Sequence, residues 1–272
     1  GAIYVQGNEV TIDKSSFTDS FALNGGAIYI NGTHTVISNS AIDDSNATYS
    51  GGAVFISGIE ADIINSSFSN THAFGSEGNG GGAIYIEGEN ADVIGSNFTN
   101  NYANSNSHAK GGAMYITGAN AEIVDSKFTN AHSNLQGGAI YVDGADTIIN
   151  GSEFYNCMVD SPGSQGGAIY IHGQHTIVED SNFVNSSSVF RGGSIYIDGL
   201  NAIVRNSNFT DSSVSGEKYY TQNPRGGAVY IKENYATIEG SIFNHSTVSS
   251  DVGEGGAIFV QGNYANVSGS EF

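Results

Sequence analysis

The sequence predicts an all-β fold, a right-handed single-stranded parallel β-helix of about ten coils, each with three short strands and a period of 25–34 residues. Three observations predict it. The string GGAIYI, or a near variant such as GGAVFI, GGAMYI or GGSIYI, returns ten times, its third residue falling at Ala2, Ala27, Ala53, Ala83, Ala113, Ala139, Ala168, Ser194, Ala228 and Ala257. Fixed offsets from that residue carry fixed residue types through the next seventeen positions. No stretch shows the 3.6-residue hydrophobic period of a helix. Self-similarity of this kind means one unit stacked many times, each coil burying its neighbour's apolar face.

With the Ala or Ser as position zero, plus-one and plus-three are always Ile, Val or Met and plus-two is always Tyr or Phe. This period of two, rich in branched and aromatic residues, is a first strand. Gly stands at plus-five in nine of ten coils, with Glu233 the exception, as suits a turn of positive φ. Plus-eight is Ala, Thr or Val and plus-ten is always Ile or Val, from Ile12 and Ile37 to Val267, which makes a second strand. Ser fills plus-thirteen in every coil. Phe fills plus-fifteen in all but one, where Ile42 stands, and Asn or Asp commonly fills plus-seventeen. That is a third strand and its exit. Coils about 4.8 Å apart make a shaft about 45 Å long, and parallel crossovers favour the right hand.

From the plus-fifteen slot to the next position zero the distance varies between 10 and 19 residues. Length variation is thus confined to one edge, with insertions at 69–80, 99–110, 155–165, 210–225 and 244–254. Residues 1–272 read as a single β-helix segment. It starts and stops inside a repeat, so the expectation is that it belongs to a longer protein or stacks head to tail in a filament.

Repeats of the form GGAIYI...G...I..S.F.N resemble the adhesin-like β-helix surface proteins of methanogenic archaea over essentially the whole chain. They are similar also to the GGA(I/L/V) and FxxN repeats of chlamydial polymorphic outer-membrane proteins. In that comparison Asn or Asp here usually follows Phe by two residues, as in Phe68 to Asn70. The resemblance implies a secreted, extracellular role at the cell surface or cell envelope.

Composition excludes some functions. With 27 acidic and 8 basic residues the net charge of −19 repels nucleic acid and anionic membranes. No apolar run is long enough to span a bilayer. The single cysteine, Cys157, has no partner for an internal disulfide and reads as a small, semi-buried apolar side chain.

Four sets of residues are candidates for function. The plus-two rings, Tyr4, Tyr29, Phe55, Tyr85, Tyr115, Tyr141, Tyr170, Tyr196, Tyr230 and Phe259, should face outward as a surface aromatic stripe. Ile on either side fills the core better than Ala plus a phenol does. Such a stripe either serves the sheet alone or packs against other copies, envelope proteins or cell-surface glycans. Asp62, Glu87, Glu89, Asp92 and Glu122 gather on neighbouring coils as hard oxygen donors that suit Ca²⁺ or a plain solvated face, and the chain otherwise calls for no cofactor. Sequons at Asn31, Asn46, Asn65, Asn97, Asn150, Asn208, Asn244 and Asn266 fit a secreted glycoprotein. The ninth, Asn185, sits in a slot read as inward-facing. The Ser and Asn columns read as structural hydrogen-bond ladders, and His172 and His175 as a solvated pair.

No nucleophile triad, phosphate loop or dinucleotide fingerprint is present. The expected function is therefore non-catalytic: a rigid structural or adhesive shaft, sheath or filament. The alternative is a polysaccharide-degrading β-helix enzyme, a lyase or glycosidase working through paired carboxylates and a basic residue.

Overall fold

The computed structural model describes residues 1–74, 80–105, 109–216 and 223–272; the insertions at 69–80, 99–110 and 210–225 fall partly outside them. Every regular element is a strand, and every strand pairs in parallel with the equivalent strand one coil away. The chain is a parallel β-solenoid. Among the described residues its ladders hold ten, ten, nine and nine strands.

The first ladder runs from Ile3–Gln6 to Ile258–Val260, the second from Val10–Asp13 to Asn266–Ser268, and the third from Ser16–Thr18 to Ile242–Asn244. These are the three strands the sequence predicts. A fourth ladder, from Phe21–Asn24 to Thr247–Val248, closes each coil before the variable loop. Each coil thus has four strands, not three. The fourth is weak in sequence because its inward residues are small, as in Ala47, Ala73, Ala103, Ser133 and Val159, and its strands shrink to two residues in the later coils.

Register is held coil by coil, so like stands on like: Tyr85 beside Tyr115, Val93 beside Ile123, Phe98 beside Phe128, Ala73 beside Ala103. The plus-one, plus-three, plus-ten and plus-fifteen columns form one buried core. Its Phe column, from Phe68 to Phe243, stacks near-parallel with ring centroids 4.7–5.0 Å apart. That spacing is the strand spacing itself, so sheet and stack reinforce each other.

Four corners turn the chain. Each centres on a residue in the left-handed region: the first Gly of the pair, then plus-seven, plus-twelve and plus-seventeen, the last three five residues apart. Asn, Asp and Gly, which tolerate this backbone best, dominate every column but plus-seven, which they share with Glu, His and Tyr. Plus-five glycine answers a different need from the predicted one. It is not at a left-handed turn in the stacked coils; a Cβ there would overlap the carbonyl oxygen of the matching glycine one coil back, as at Gly118 against Gly88.

Polar ladders seal the corners. Ser96 Oγ accepts from Ser66 N at 3.1 Å and donates to Ile94 O at 3.1 Å, and this inward, buried pattern repeats down the plus-thirteen column. The amides at plus-seventeen also form a ladder, with Asn100, Asn130, Asn156 and Asn185 each donating to the Asn one coil back at 2.9–3.1 Å. This ladder faces outward. Left-handed φ of 52–55° turns these side chains to solvent, which corrects the inward placement predicted for Asn185.

Removing one ring from the Phe column tests how tightly the core is stacked. Phe128→Ala should lower unfolding stability by about 3–5 kcal/mol in a denaturant titration, whereas Asn130→Ala, at an exposed corner, should cost much less. Equal losses would refute the assignment of stability to the inner column.

Candidate functional site

The plus-two rings face away from the main core, as predicted, but they are not a surface stripe. They form a second apolar column from Tyr4 to Phe259 with ring centroids 4.7–5.3 Å apart, stacked except at Tyr115, which meets Tyr85 and Tyr141 edge-on. Phe55, Tyr85, Tyr115, Tyr141, Tyr170, Tyr196 and Tyr230 are each 7% exposed or less. Only the first ring, Tyr4, is open, at 66%.

In the later coils part of the covering comes from the residue just before the glycine pair. Lys110, Gln136, Gln165, Arg191, Arg225 and Glu254 bridge one another from coil to coil along the edge of the ring column. Lys110 Nζ lies 4.3 Å from the Tyr141 centroid, Arg191 Cζ 5.1 Å from Tyr230 and Arg225 Cζ 4.6 Å from Phe259. A cation over a desolvated ring is worth about 0.5–2 kcal/mol. On the other margin the Tyr230 hydroxyl donates to Gln261 Oε1. Burial pushes the phenols of Tyr115, Tyr141, Tyr170 and Tyr196 well up, and it pushes the Lys110 ammonium down. These rings are a sealed structural layer.

The five acidic candidates separate into two groups. Asp62, Asp92 and Glu122 stand in register on the outward side of the second ladder, one strand apart. Glu87 and Glu89 are exposed, on the exit from the first strand of their coil. Among the described residues no three His, Cys, Asp or Glu side chains converge as they would around an ion.

Elsewhere charges on adjacent coils are matched. Glu179 pairs with Arg205, Asp198 with Lys232 at 2.8 Å, Lys127 with Glu153 at 3.0 Å and Arg225 with Glu254 at 2.6 Å. His34 pairs with Glu60, His172 with Asp143 at 2.9 Å and His175 with Asp146 at 3.1 Å. The two predicted solvated histidines are therefore each tied to the previous coil. The signal for these pairs in the sequence is opposite charge at equal offset in consecutive coils. A shallow depression of about 460 Å³ is lined by Asp143, His172, Asp198 and Glu233. The Asp143–His172 pair occupies its wall, and Asp198 there is already paired with Lys232.

Of the sequons, Asn31, Asn65, Asn97, Asn244 and Asn266 are exposed, while Asn46, Asn150 and Asn208 are half-buried. The side-chain oxygens of Asn46 and Asn208 are sealed from solvent, and Asn208 Nδ2 donates to Asn182 Oδ1. Cys157 is fully buried in a small inward slot rather than semi-buried. Burial pushes its thiol up to about 12. No protein-family model matches this chain, and neither a curated protein nor a solved structure shows significant similarity to it.

Two measurements check this description. A thiol reagent should leave the native chain unlabelled and titrate Cys157 once denaturant is added; labelling of folded protein would contradict its burial. The second concerns the acidic row. Burial and then Glu60 push Asp62 up, and burial, Glu122 and then Asp62 push Asp92 up. The folded chain therefore holds these protons more tightly than the unfolded chain does. Stability falls as pH rises from the ordinary carboxylate range, about 3.9, through the raised values, and it stays lowered above them. Asp92→Asn should raise the thermal midpoint at pH 7 by about 1–2 °C, with the gain shrinking as pH falls below about 4. A lower midpoint at pH 7 would contradict the assignment.

Proposed function

We propose that this chain is a non-catalytic, extracellular structural and adhesive element: a stiff shaft that carries contact loops along one edge. The observation that carries the reading is the continuity of four ladders from coil to coil, in register except for one shift between Ala22 and Asn24 in the fourth, with every described insertion leaving at one place, between the fourth strand and the glycine pair. A sheet that is continuous along the rod resists bending, and a loop at its edge can change length without disturbing the stack. The coils are alike where an active site needs one coil to differ. The described cations are each engaged by a carboxylate or an aromatic ring, so the basic partner of an acid polysaccharide-cleaving site has no free candidate among them.

This reading agrees with the resemblance to adhesin-like surface proteins, and it assigns contact to the loops rather than to the sealed rings. Its partners are then envelope proteins, other copies of the chain or cell-surface glycans, and exposed sequons such as Asn97 and Asn244 are where glycans would attach.

The test exchanges residues 215–224 for the short Val189-Phe190 connection of the preceding coil. Beads bearing either chain are then scored for capture of cell-envelope fractions and polysaccharides. Unchanged circular dichroism with capture reduced at least about tenfold is the expected result, as it is for a loop that supplies an interface anchor. Undiminished capture after all insertions have been shortened, or release of new reducing ends from a polysaccharide, would overturn the proposal.

A further inference from the structure

The outward side of the second ladder carries a feature that the shaft reading does not use. Ile64, Ile94 and Val124 stand in one outward column of three successive coils, and Ile148, Ile177 and Ile203 in the other outward column of the next three. All are partly or fully open to solvent, Ile94 at 37%. Together they form a continuous apolar ridge across six coils, crossing from one column to the other midway. A shift of two residues over about 24 Å inclines it by about 15° to the shaft. The corners bounding this sheet are the tight ones at plus-seven and plus-twelve, so the variable loops do not emerge beside it.

The acidic row Asp62, Asp92 and Glu122 runs alongside the first half of the ridge, in the column the isoleucines later take over. Among the described residues these three carboxylates have no cation opposite them, while acids on neighbouring columns do, as Glu179 has Arg205. Like charges one strand apart, beside an apolar ridge, are costly to leave uncompensated.

We propose that this face docks a basic amphipathic helix of another protein. A helix laid along the shaft presents one turn every 5.4 Å or so against a coil every 4.8 Å or so, so its side chains drift by about 3 Å over the ridge, and its apolar face meets a continuous ridge rather than one coil per turn. Apolar residues would cover the Ile and Val ridge, and Lys or Arg on the flank would meet Asp62, Asp92 and Glu122. Charge argues against a second copy of this chain, which would bring the same acidic row and the same net charge of −19. The proposal stands apart from loop-borne adhesion, because it uses a different face.

The probe is a synthetic 18-residue helical peptide, about 27 Å long, with Leu along one face and Lys at its margin. A scrambled peptide of equal composition serves as control, and binding to the full chain is measured calorimetrically in 0.15 M salt. The expected result is saturable one-to-one binding, with the scrambled peptide weaker by about tenfold or more. The triple variant Asp62→Asn, Asp92→Asn, Glu122→Gln and the double variant Ile94→Gln, Ile177→Gln should each weaken binding about tenfold. Neutralising three exposed acids elsewhere, with Asp19→Asn, Asp44→Asn and Asp251→Asn, should change it less than about twofold. Equal binding of the scrambled peptide, equal loss in the remote triple variant, or no loss in the isoleucine variant would each overturn the proposal. Loss of loop-mediated capture would leave it standing.

Discussion

Everything in this molecule depends on one spacing. Equivalent residues of successive coils must sit about 4.8 Å apart, because that is the distance at which parallel strands hydrogen-bond. Rings stack well at the same distance, amides can donate to amides, and hydroxyls reach the next backbone N–H. The Phe column, the outer Tyr column, the buried Ser ladder and the exposed Asn ladder are four side-chain answers to one backbone repeat. The second glycine of each pair answers it by omission. A Cβ on Gly112 would overlap the carbonyl oxygen of Gly138, so no side chain at all fits between those coils.

Much of this was legible in the sequence, because columns are visible as offsets. Phe at plus-fifteen, Ile or Val at plus-ten and Ser at plus-thirteen were read in their correct places, and the solenoid followed from them. The fourth ladder was not legible. Its inward slots hold residues such as Ala73, Ser133 and Val159, and the buried slot just before it holds Ser45, Thr71, Asn101 and Cys157, which share small size but no chemistry. The left-handed corners were present as a five-residue rhythm. It was masked because His34, Tyr235 and Asn90 occupy the same column without looking alike.

The outer rings show a limit of another kind. Their direction followed from alternation, and their exposure did not. What covers Tyr141 is Lys110, whose place is fixed relative to the glycine pair of its own coil. Counted forward from the previous motif, that position drifts with loop length, so the Lys110, Gln136, Gln165, Arg191 row has no constant offset and no evident identity. Polar side chains with long aliphatic stems close over rings that pattern alone left open to water. The acidic row fared differently: its members were visible as acids on neighbouring coils, and the structure added their common column, which of its neighbours are apolar and which charges elsewhere are matched.

The Asn ladder has a consequence for how such a shaft tolerates change. Each inner amide bonds to the coil on either side, so a substitution inside the run from Asn70 to Asn185 breaks two amide–amide contacts, while one at either end breaks a single such contact, Asn70 keeping Asp43 as its partner beyond the run. Cost therefore resides at boundaries between unlike residues rather than in the residues themselves, as in a one-dimensional chain of coupled spins. Runs of one identity should lengthen or shorten from their ends and seldom be interrupted. The column has this form: Asp19 and Asp44 precede the five asparagines, and Asp211 and His245 follow them.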